Sequence, residues 1–289
     1  MKKNWLAPAL AVVGGAVGFG LRRWQLATGF EPDSGLAIPG SVASTALMIW
    51  SALVVVGLIA LCWGRKGPMT CEKAFDAKGN SLFLTACVLG AFLLLVSAAA
   101  EAVTLSAGYQ STLYTNNSPL SQFTAKLLPP LRVALCLGGF PCTLLWVRQL
   151  SREGEGRRES LPLLELCLLF CLWLISDYQI RAADPVVLDY VYEVFAIAAT
   201  VMALYYLAGY SFQIGKPRRT LVTCLLAAYF AMVTMADGHG LSDTTRLGFV
   251  VLFMTAHAAL ILSGPNEAEA VSEEEAEESE TQKEAQDNA

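Results

Sequence analysis

Eight apolar segments separated by polar stretches constrain this chain more than any other feature. Each has about the length that a helix needs to cross a hydrocarbon layer about 30 Å thick, because a helix rises about 1.5 Å per residue. In lipid, such a segment satisfies its own backbone hydrogen bonds only as a helix. The sequence therefore predicts an all-α integral membrane protein, a bundle of about eight transmembrane helices, at 5–21, 43–63, 82–105, 127–147, 161–180, 187–210, 220–237 and 247–263.

The composition agrees with a membrane domain that carries a polar tail. Hydrophobic residues make up 55% of the chain and charged residues 16%, with a mean hydropathy of +0.49. Residues 264–289 hold ten acidic side chains, one lysine and no aromatic residue. This predicts a polytopic transmembrane domain over 1–263 and a disordered acidic cytoplasmic tail over 264–289. We expect the lipid bilayer as the main partner and no nucleic-acid partner.

The distribution of lysine and arginine predicts the orientation. With the N-terminus inside, the inner positions number fourteen and the outer positions five, namely Arg22, Arg23, Lys126, Arg181 and Arg246. Basic residues favour the cytoplasmic side, so both termini are predicted to be cytoplasmic. The first segment lacks a small-x-small cleavage site and is followed by two arginines, which favours a retained anchor over a cleaved signal peptide.

Cysteine usage predicts no special chemistry. Seven of the eight cysteines fall within predicted helices, and none lies in an outer loop, so no extracellular disulfide framework is expected. Cys167 and Cys171 are one helical turn apart and are more simply explained as small apolar residues than as metal ligands. We therefore expect no metal and no cofactor.

Ionisable residues recur at the predicted outer ends of five helices. The up-and-down topology alone brings them to the same half of the membrane, where charges are costly and should face one another or water. Glu165 and His257 lie in the inner half and do not belong to this group. The candidate residues of an outward-facing polar cup are Glu101, Arg132, Asp177, Arg181, Asp189, Glu193 and Asp237.

Local spacing explains part of this group. Asp177 and Arg181 are four residues apart and can pair on one helical face. Asp184 followed by Pro185 is typical of a helix start, with the carboxylate as the cap. Asp189 and Glu193 share a face and repel as like charges unless a cation, a proton or an arginine intervenes, and Arg132 is a natural partner.

Two functional interpretations remain open. In one, the cup binds or transports a cation or a small polar solute. In the other, the protein has a structural or accessory role and its charges only fix helix packing. An intramembrane hydrolase is disfavoured because the chain has no HExxH or GxSxG motif.

Small residues predict close helix packing in two places. Gly14 and Gly18 are four residues apart in the first segment. Gly138, Gly139 and Pro141 interrupt the fourth, where a kink is the plainer expectation and a broken helix the alternative.

Several stretches resemble a family of multi-pass plasma-membrane proteins of Gram-positive anaerobic bacteria: "GFEPDSGLAIPGS" (29–41), "DYQIRAADPVVLDYVYE" (177–193), "YYLAGYSF" (205–212) with "KPRRT" (216–220), and "ADG" (236–238). At Gln179 the sequence departs from the family pattern, which often has a basic residue there. The resemblance covers most of the body and excludes the tail. It implies a bacterial plasma membrane and supplies no activity or mechanism.

Overall fold

A computed structural model describes residues 5–31, 36–64, 71–75, 77, 80–106, 119–151, 159–181 and 186–264. The predicted acidic tail and the proposed cap at Asp184 and Pro185 lie outside the described residues, so both remain predictions. The helices are α1 (Leu6–Thr28), α2 (Val42–Cys62), the short α3 (Cys71–Ala74), α4 (Ser81–Ser106), α5 (Pro119–Ser151), α6 (Leu161–Arg181), α7 (Val187–Gly209), α8 (Pro217–Thr234) and α9 (Leu241–Ser263).

The all-helical prediction is confirmed for the described residues, which contain no β-strand beyond one isolated bridge between Phe30 and Ala37. Eight of the helices, all except α3, are long and apolar enough to cross a membrane. One-turn 3₁₀ helices extend α7 over Tyr210–Phe212 and α8 over Met235–Asp237.

Three predicted helix boundaries are wrong by at least six residues. The helix α5 begins at Pro119 rather than at residue 127. The other two errors share one cause. The first helix continues to Thr28 rather than ending at residue 21, and α9 begins at Leu241 rather than at residue 247. In both cases an arginine assigned to an outer loop lies inside a helix, and Arg22 and Arg246 are fully buried. The helices continue through these residues because each guanidinium meets a carboxylate from a distant part of the chain.

Six consecutive long helices form a closed ring. Each of α4, α5, α6, α7, α8 and α9 packs against the next, and α9 packs against α4. Outside this ring, α1 packs on α8, and α2 packs on α1 and α8. In the most apolar stretches of α8 and α9, 61% and 67% of the residues are buried, against 28% in α2. The helices α8 and α9 are therefore the central helices of the protein.

Glycines let α1 approach its neighbours closely, as the spacing of Gly14 and Gly18 predicts. A Cβ added at Gly18 would lie 2.7 Å from Val233 Cγ2 of α8, and one at Gly14 would lie 3.1 Å from Val54 Cγ2 of α2. Because these distances leave no room for a methyl group, even alanine at Gly18 would separate α1 from α8.

The helix α5 is continuous from Pro119 to Ser151, with Pro129, Pro130 and Pro141 inside it. The alternative of a broken fourth helix is therefore wrong, because α5 has no interruption. Gly139 instead permits close packing, since a Cβ there would lie 3.1 Å from Leu94 of α4 and 3.2 Å from Leu166 of α6.

Candidate functional site

The ionisable side chains of the bundle collect at one end of the six-helix ring, which we call the polar end. It is the end at which α4, α6 and α8 finish and at which α5, α7 and α9 have their first turns. Every helix of the ring, or the turn that follows it, contributes a charged residue there. These residues form two clusters, defined below, that Asp177 connects.

The first, the Glu101 cluster, consists of Glu101, Arg132, Arg246, Ser97, Ser242 and Asp243. Glu101 is 1% exposed, and its two carboxylate oxygens bind different arginines. Arg132 donates from Nε to Oε1, and Arg246 donates from Nη2 to Oε2 at 2.8 Å. One buried carboxylate therefore joins α4, α5 and α9.

Arg246 is surrounded on several sides. Its Nη2 lies 3.1 Å from Asp243 Oδ1, its Nε donates to Ser97 Oγ at 3.2 Å, and its guanidinium carbon lies 4.4 Å from the centre of the Trp173 ring. Trp173 belongs to α6, so this cation–π contact spans the interior of the ring. The Nη1 atom of Arg246 is buried and has no hydrogen-bond partner.

The second, the Glu193 cluster, consists of Arg22, Gln25, Glu193, Asp237 and His239. Arg22 of α1 is fully buried and donates from Nε to Asp237 Oδ1 at 2.5 Å. Its other nitrogens donate to Gln25 Oε1 at 2.8 Å and to the backbone oxygen of Asp189. Arg22 thereby links α1 to α7 and to the end of α8.

His239 lies between two carboxyl groups of this cluster. Its Nδ1 is 3.9 Å from Glu193 Oε1, and its Nε2 is 3.9 Å from Asp237 Oδ2. The side chains of His239 and Asp237 are each 8% exposed, yet His239 Nε2 and Asp237 Oδ2 have no hydrogen-bond partner. One small polar group beside these two atoms could therefore bond to both of them.

Asp177 of α6 connects the two clusters. Its carboxyl lies near that of Glu193, with which it lines one groove, and within electrostatic range of Asp243 and Arg132. The Oδ2 atom of Asp177 is buried without a hydrogen-bond partner. Two carboxyl groups close together cannot both be ionised at low cost, so a proton, a bound cation or a neighbouring basic side chain has to offset their charge.

A groove of about 600 Å³ lies between α6 and α7, beside this carboxyl pair. Three of its lining residues are aliphatic and two are tyrosines. The polar remainder includes the carboxyl pair itself. The full lining is Leu174, Ile175, Asp177, Tyr178, Gln179, Tyr190, Glu193 and Val194.

Below the polar end, the interior of the ring is aromatic. Phe170 of α6 and Phe249 of α9 stack with their ring centres 6.2 Å apart, one helical turn from Trp173 and Arg246. Phe249 in turn stacks on Phe253, and Phe253 lies 4.1 Å from the ring of His257. This aromatic layer separates the polar end from the opposite half of the bundle.

The two ionisable residues that the sequence excludes from the cup lie in the opposite half. His257 is fully buried, accepts a hydrogen bond from Trp146 Nε1 at 3.0 Å and contacts the backbone oxygen of Phe253 through Nδ1 at 2.8 Å. Glu165 lies beside the thiol of Cys142, and neither of its oxygens has a conventional hydrogen-bond partner. His257 is therefore explained as a satisfied core histidine.

The structure brings together most of the predicted cup. Glu101 and Arg132 lie in the Glu101 cluster, Glu193 and Asp237 lie in the Glu193 cluster, and Asp177 connects the two. Asp189 contributes its backbone oxygen to Arg22. The side chain of Arg181 lies outside the described part of the structure, so its predicted pairing with Asp177 remains a prediction.

One predicted pairing is wrong. Arg132 binds Glu101, on the adjacent helix α4, and not Asp189 or Glu193. The helices α5 and α4 pack side by side, whereas α7 lies on the other side of the ring beyond α6. Glu101 and Glu193 lie at the same end of the bundle, so the position of each helix around the ring decides the partner of Arg132.

Sequence reasoning missed the two most buried cations of the site, Arg22 and Arg246. A signal for both exists, because no helix-breaking residue separates Arg22 from the first apolar segment, and the helix start after Gly240 places Arg246 in the second turn of α9. Ser97 and Ser242 were also missed, since a serine in an apolar helix carries no distinctive pattern.

Among the described residues, no group of three His, Cys, Asp or Glu side chains is placed to hold a metal ion. Comparison with protein-family models, with curated proteins and with solved structures gives no match.

Proposed function

We propose that this chain is a multi-pass plasma-membrane protein that binds, and in its working cycle transports or senses, a cation or a small polar solute through a cup at its polar end. The observation that carries the proposal is that the Asp177 and Glu193 carboxyl groups line the same open groove. A buried carboxyl pair is stabilised by a cation or a proton, and a groove at that point admits one.

In the proposed topology the polar end faces outward and both termini are cytoplasmic. Of the five basic residues assigned to the outer side, Arg22 and Arg246 are buried partners of carboxylates, so they are not loop charges. Subtracting these two from five leaves three outer positions against fourteen inner ones, which strengthens the positive-inside argument. The aromatic layer below the polar end supports an outward-open, inward-closed arrangement.

The balance of charge at the polar end also supports a cation over an anion. Three arginines, Arg22, Arg132 and Arg246, belong to the two clusters. Together with Asp177, the clusters contain five acidic residues, namely Glu101, Asp177, Glu193, Asp237 and Asp243. Among these described side chains the carboxyl groups are in excess, so a cation lowers the electrostatic energy of the site.

The alternative is a structural or accessory protein whose charges only hold helices together. One observation favours it for part of the site: Glu101 is enclosed by two arginines and leaves no acceptor open to a ligand. We assign that structural role to the Glu101 cluster and the binding role to Asp177 and Glu193.

Thermal unfolding of the purified protein with a panel of cations and neutral polar solutes tests the proposal. A ligand that binds only the folded state raises its stability by about 2.7 kcal/mol at a concentration one hundred times its Kd. We expect a cation to raise the Tm of the wild type and to leave that of Glu193→Gln unchanged. Glu165→Gln is the matched control, because it removes a carboxyl on α6 away from the cup and should respond like the wild type.

The proposal is contradicted if no member of the panel raises the Tm of the wild type, or if Glu193→Gln responds as strongly as the wild type does. The topology has its own test in a cysteine-depleted background. Single cysteines introduced in 106–126 should react with an impermeant maleimide added outside cells, and those in 149–160 should not. The reverse pattern would overturn the orientation.

A further inference from the structure

We infer that the groove between α6 and α7 binds a monovalent organic cation with an apolar body, its charged head against the Asp177 and Glu193 carboxyl groups. This inference rests on the proposed function and names the class of ligand. The groove, its lining and the unpartnered polar atoms beside it carry the argument.

The size of the groove excludes a bare inorganic ion as its full occupant. A volume of about 600 Å³ lies within the range of about 300–1,000 Å³ that is usual for organic ligands. A dehydrated alkali-metal ion fills only a small part of it and leaves the aliphatic wall in contact with water. An apolar body on the ligand would cover that wall and gain the free energy of burial.

The lining matches a cation of this kind chemically. Leu174, Ile175 and Val194 offer an aliphatic surface, and Tyr178 and Tyr190 offer aromatic rings of the kind that attract ammonium groups. Among the described residues that line the groove, no lysine, arginine or histidine is present. Among these described lining side chains, an anion would therefore meet two carboxyl groups and no positive partner.

The charge of the head follows from the carboxyl pair. With the groove empty, we expect the neighbouring Asp177 and Glu193 carboxyl groups to share one proton, because ionising both is costly. A monocation that displaces this proton leaves the net charge of the site unchanged, and the proton passes to water. Binding is thus an exchange of one cation for one proton, with no other bond formed or broken.

Unpartnered polar atoms provide a second observation. Asp177 is one of the lining residues, and its Oδ2 atom is buried without a hydrogen-bond partner. On the far side of Glu193, the nine-tenths buried side chains of His239 and Asp237 each keep an unpartnered atom. Unpartnered polar atoms of Asp177, Asp237 and His239 therefore lie close to the carboxyl pair.

The groove opens at the side of the bundle. Tyr178 is 72% exposed and Ile175 is 47% exposed, and both belong to its lining. A cation can therefore enter from water at the polar end or from the adjacent lipid leaflet. The ligand chemistry, an ammonium head on an apolar body, is shared by a soluble amine and by the headgroup of an aminolipid such as phosphatidylethanolamine.

The test uses the full chain in nanodiscs of phosphatidylglycerol, which has no amine. Benzyltrimethylammonium, which keeps its charge at every pH, is compared with Na⁺, K⁺ and the neutral benzyl alcohol. We expect benzyltrimethylammonium to raise the Tm at a half-saturating concentration at least about tenfold below that of Na⁺ or K⁺, a difference of about 1.4 kcal/mol in binding. Benzyl alcohol should have no effect.

Two variants and one control keep the test independent of folding defects. Asp177→Asn should abolish the response to benzyltrimethylammonium. Val194→Trp fills the aliphatic wall without changing any charge, so it should weaken benzyltrimethylammonium binding and leave any weak Na⁺ response intact. Glu165→Gln should respond to benzyltrimethylammonium and to Na⁺ as the wild type does.

The outcomes separate this inference from the proposed function. Equal action of Na⁺ and benzyltrimethylammonium, or an unchanged response in Val194→Trp, would overturn the organic class while cation binding stands. No response to any cation would overturn both. Added phosphatidylethanolamine that raises the Tm and competes with benzyltrimethylammonium identifies a lipid source, and its lack of effect identifies a soluble one.

Discussion

Glu101 and Asp177 are two carboxyl groups at the same end of the same ring of helices, and their surroundings are opposite. Glu101 is enclosed by Arg132 and Arg246, and a serine hydroxyl donates to it as well. Asp177 meets the carboxyl of Glu193 and lines an open groove. Equal depth therefore does not give equal roles, because the neighbours around the ring decide whether a buried charge is neutralised within the protein.

The difference divides the polar end into a structural part and a binding part. A neutralised carboxylate joins three helices and should resist substitution. A carboxyl pair that shares a proton costs stability in the empty state, which is typical of sites that exist to bind a ligand. The following substitutions test this division.

The largest effect is expected for Arg246→Gln. It leaves Glu101 with one arginine in place of two and removes the cation–π contact with Trp173. Breaking a buried ion pair by removing one partner costs about 3–5 kcal/mol. Reversible unfolding in mixed micelles measures this loss, and a loss below about 1 kcal/mol would show that the Glu101 cluster is not a structural network.

A smaller loss is expected for Asp237→Asn. Arg22 loses its charged partner but keeps its hydrogen bonds to Gln25 and to the backbone of Asp189. A hydrogen bond to a charged group is worth about 1.5–3 kcal/mol, so we expect a loss of about 2 kcal/mol in the same unfolding assay. A loss of unfolding free energy as large as that of Arg246→Gln would show that the other hydrogen bonds of Arg22 do not compensate for the loss of Asp237.

For Asp177→Asn we expect a change in stability within about 1 kcal/mol, or a gain, because the substitution removes one member of the carboxyl pair and keeps its shape. The unfolding free energy is measured without added cations. A loss near that of Arg246→Gln would contradict the division and assign Asp177 to the structural part.

The exchange of a cation for a proton predicts the pH dependence of binding. Because both compete for the Asp177–Glu193 pair, the affinity for benzyltrimethylammonium should increase with pH, by up to about tenfold per pH unit where the pair titrates. The charged groups around the pair are Arg132, Asp243, Arg246 and His239.

Titration of binding at several pH values measures this dependence, and Glu193→Gln provides the comparison. If the affinity of the wild type is the same at every pH, or is highest at low pH, the shared proton is not displaced by the ligand.

The smallest effect is expected for Glu165→Gln. Both oxygens of this carboxyl lack a conventional hydrogen-bond partner, so the amide replaces it with little loss, within about 0.5 kcal/mol. The unfolding assay checks this value. A large loss would indicate that Glu165 has a structural partner of its own and would remove it as a control.

Much of the fold was predictable because apolar length is a local property. The eight apolar segments each correspond to one long helix, and the alternation of their directions alone brings Glu101, Asp177 and Asp237 to one end. The predicted helix boundaries were wrong where a charged residue was taken as the end of an apolar segment. Arg22 is neutralised by a residue 215 positions away, which no hydropathy window contains.

The partners within the site were not predictable for a related reason. Sequence spacing gives the depth of a residue along a helix and the face it shares with its helical neighbours. It does not give the position of each helix around the ring, on which the choice of Glu101 over Glu193 by Arg132 depends. The groove likewise results from the spacing of α6 and α7, which the sequence of neither helix contains.

The most direct test of the binding site is protection of the carboxyl groups from a hydrophobic carbodiimide, mapped by mass spectrometry on the wild-type protein. Such reagents modify protonated carboxyl groups, so the Asp177–Glu193 pair should react in the absence of cation, and Glu165 serves as a reference within the same molecule. We expect benzyltrimethylammonium to reduce modification of the pair in proportion to its occupancy and to leave Glu165 unchanged. The proposed site would be contradicted if the cation did not change modification of the pair. It would also be contradicted if the cation reduced modification of Glu165 by the same amount.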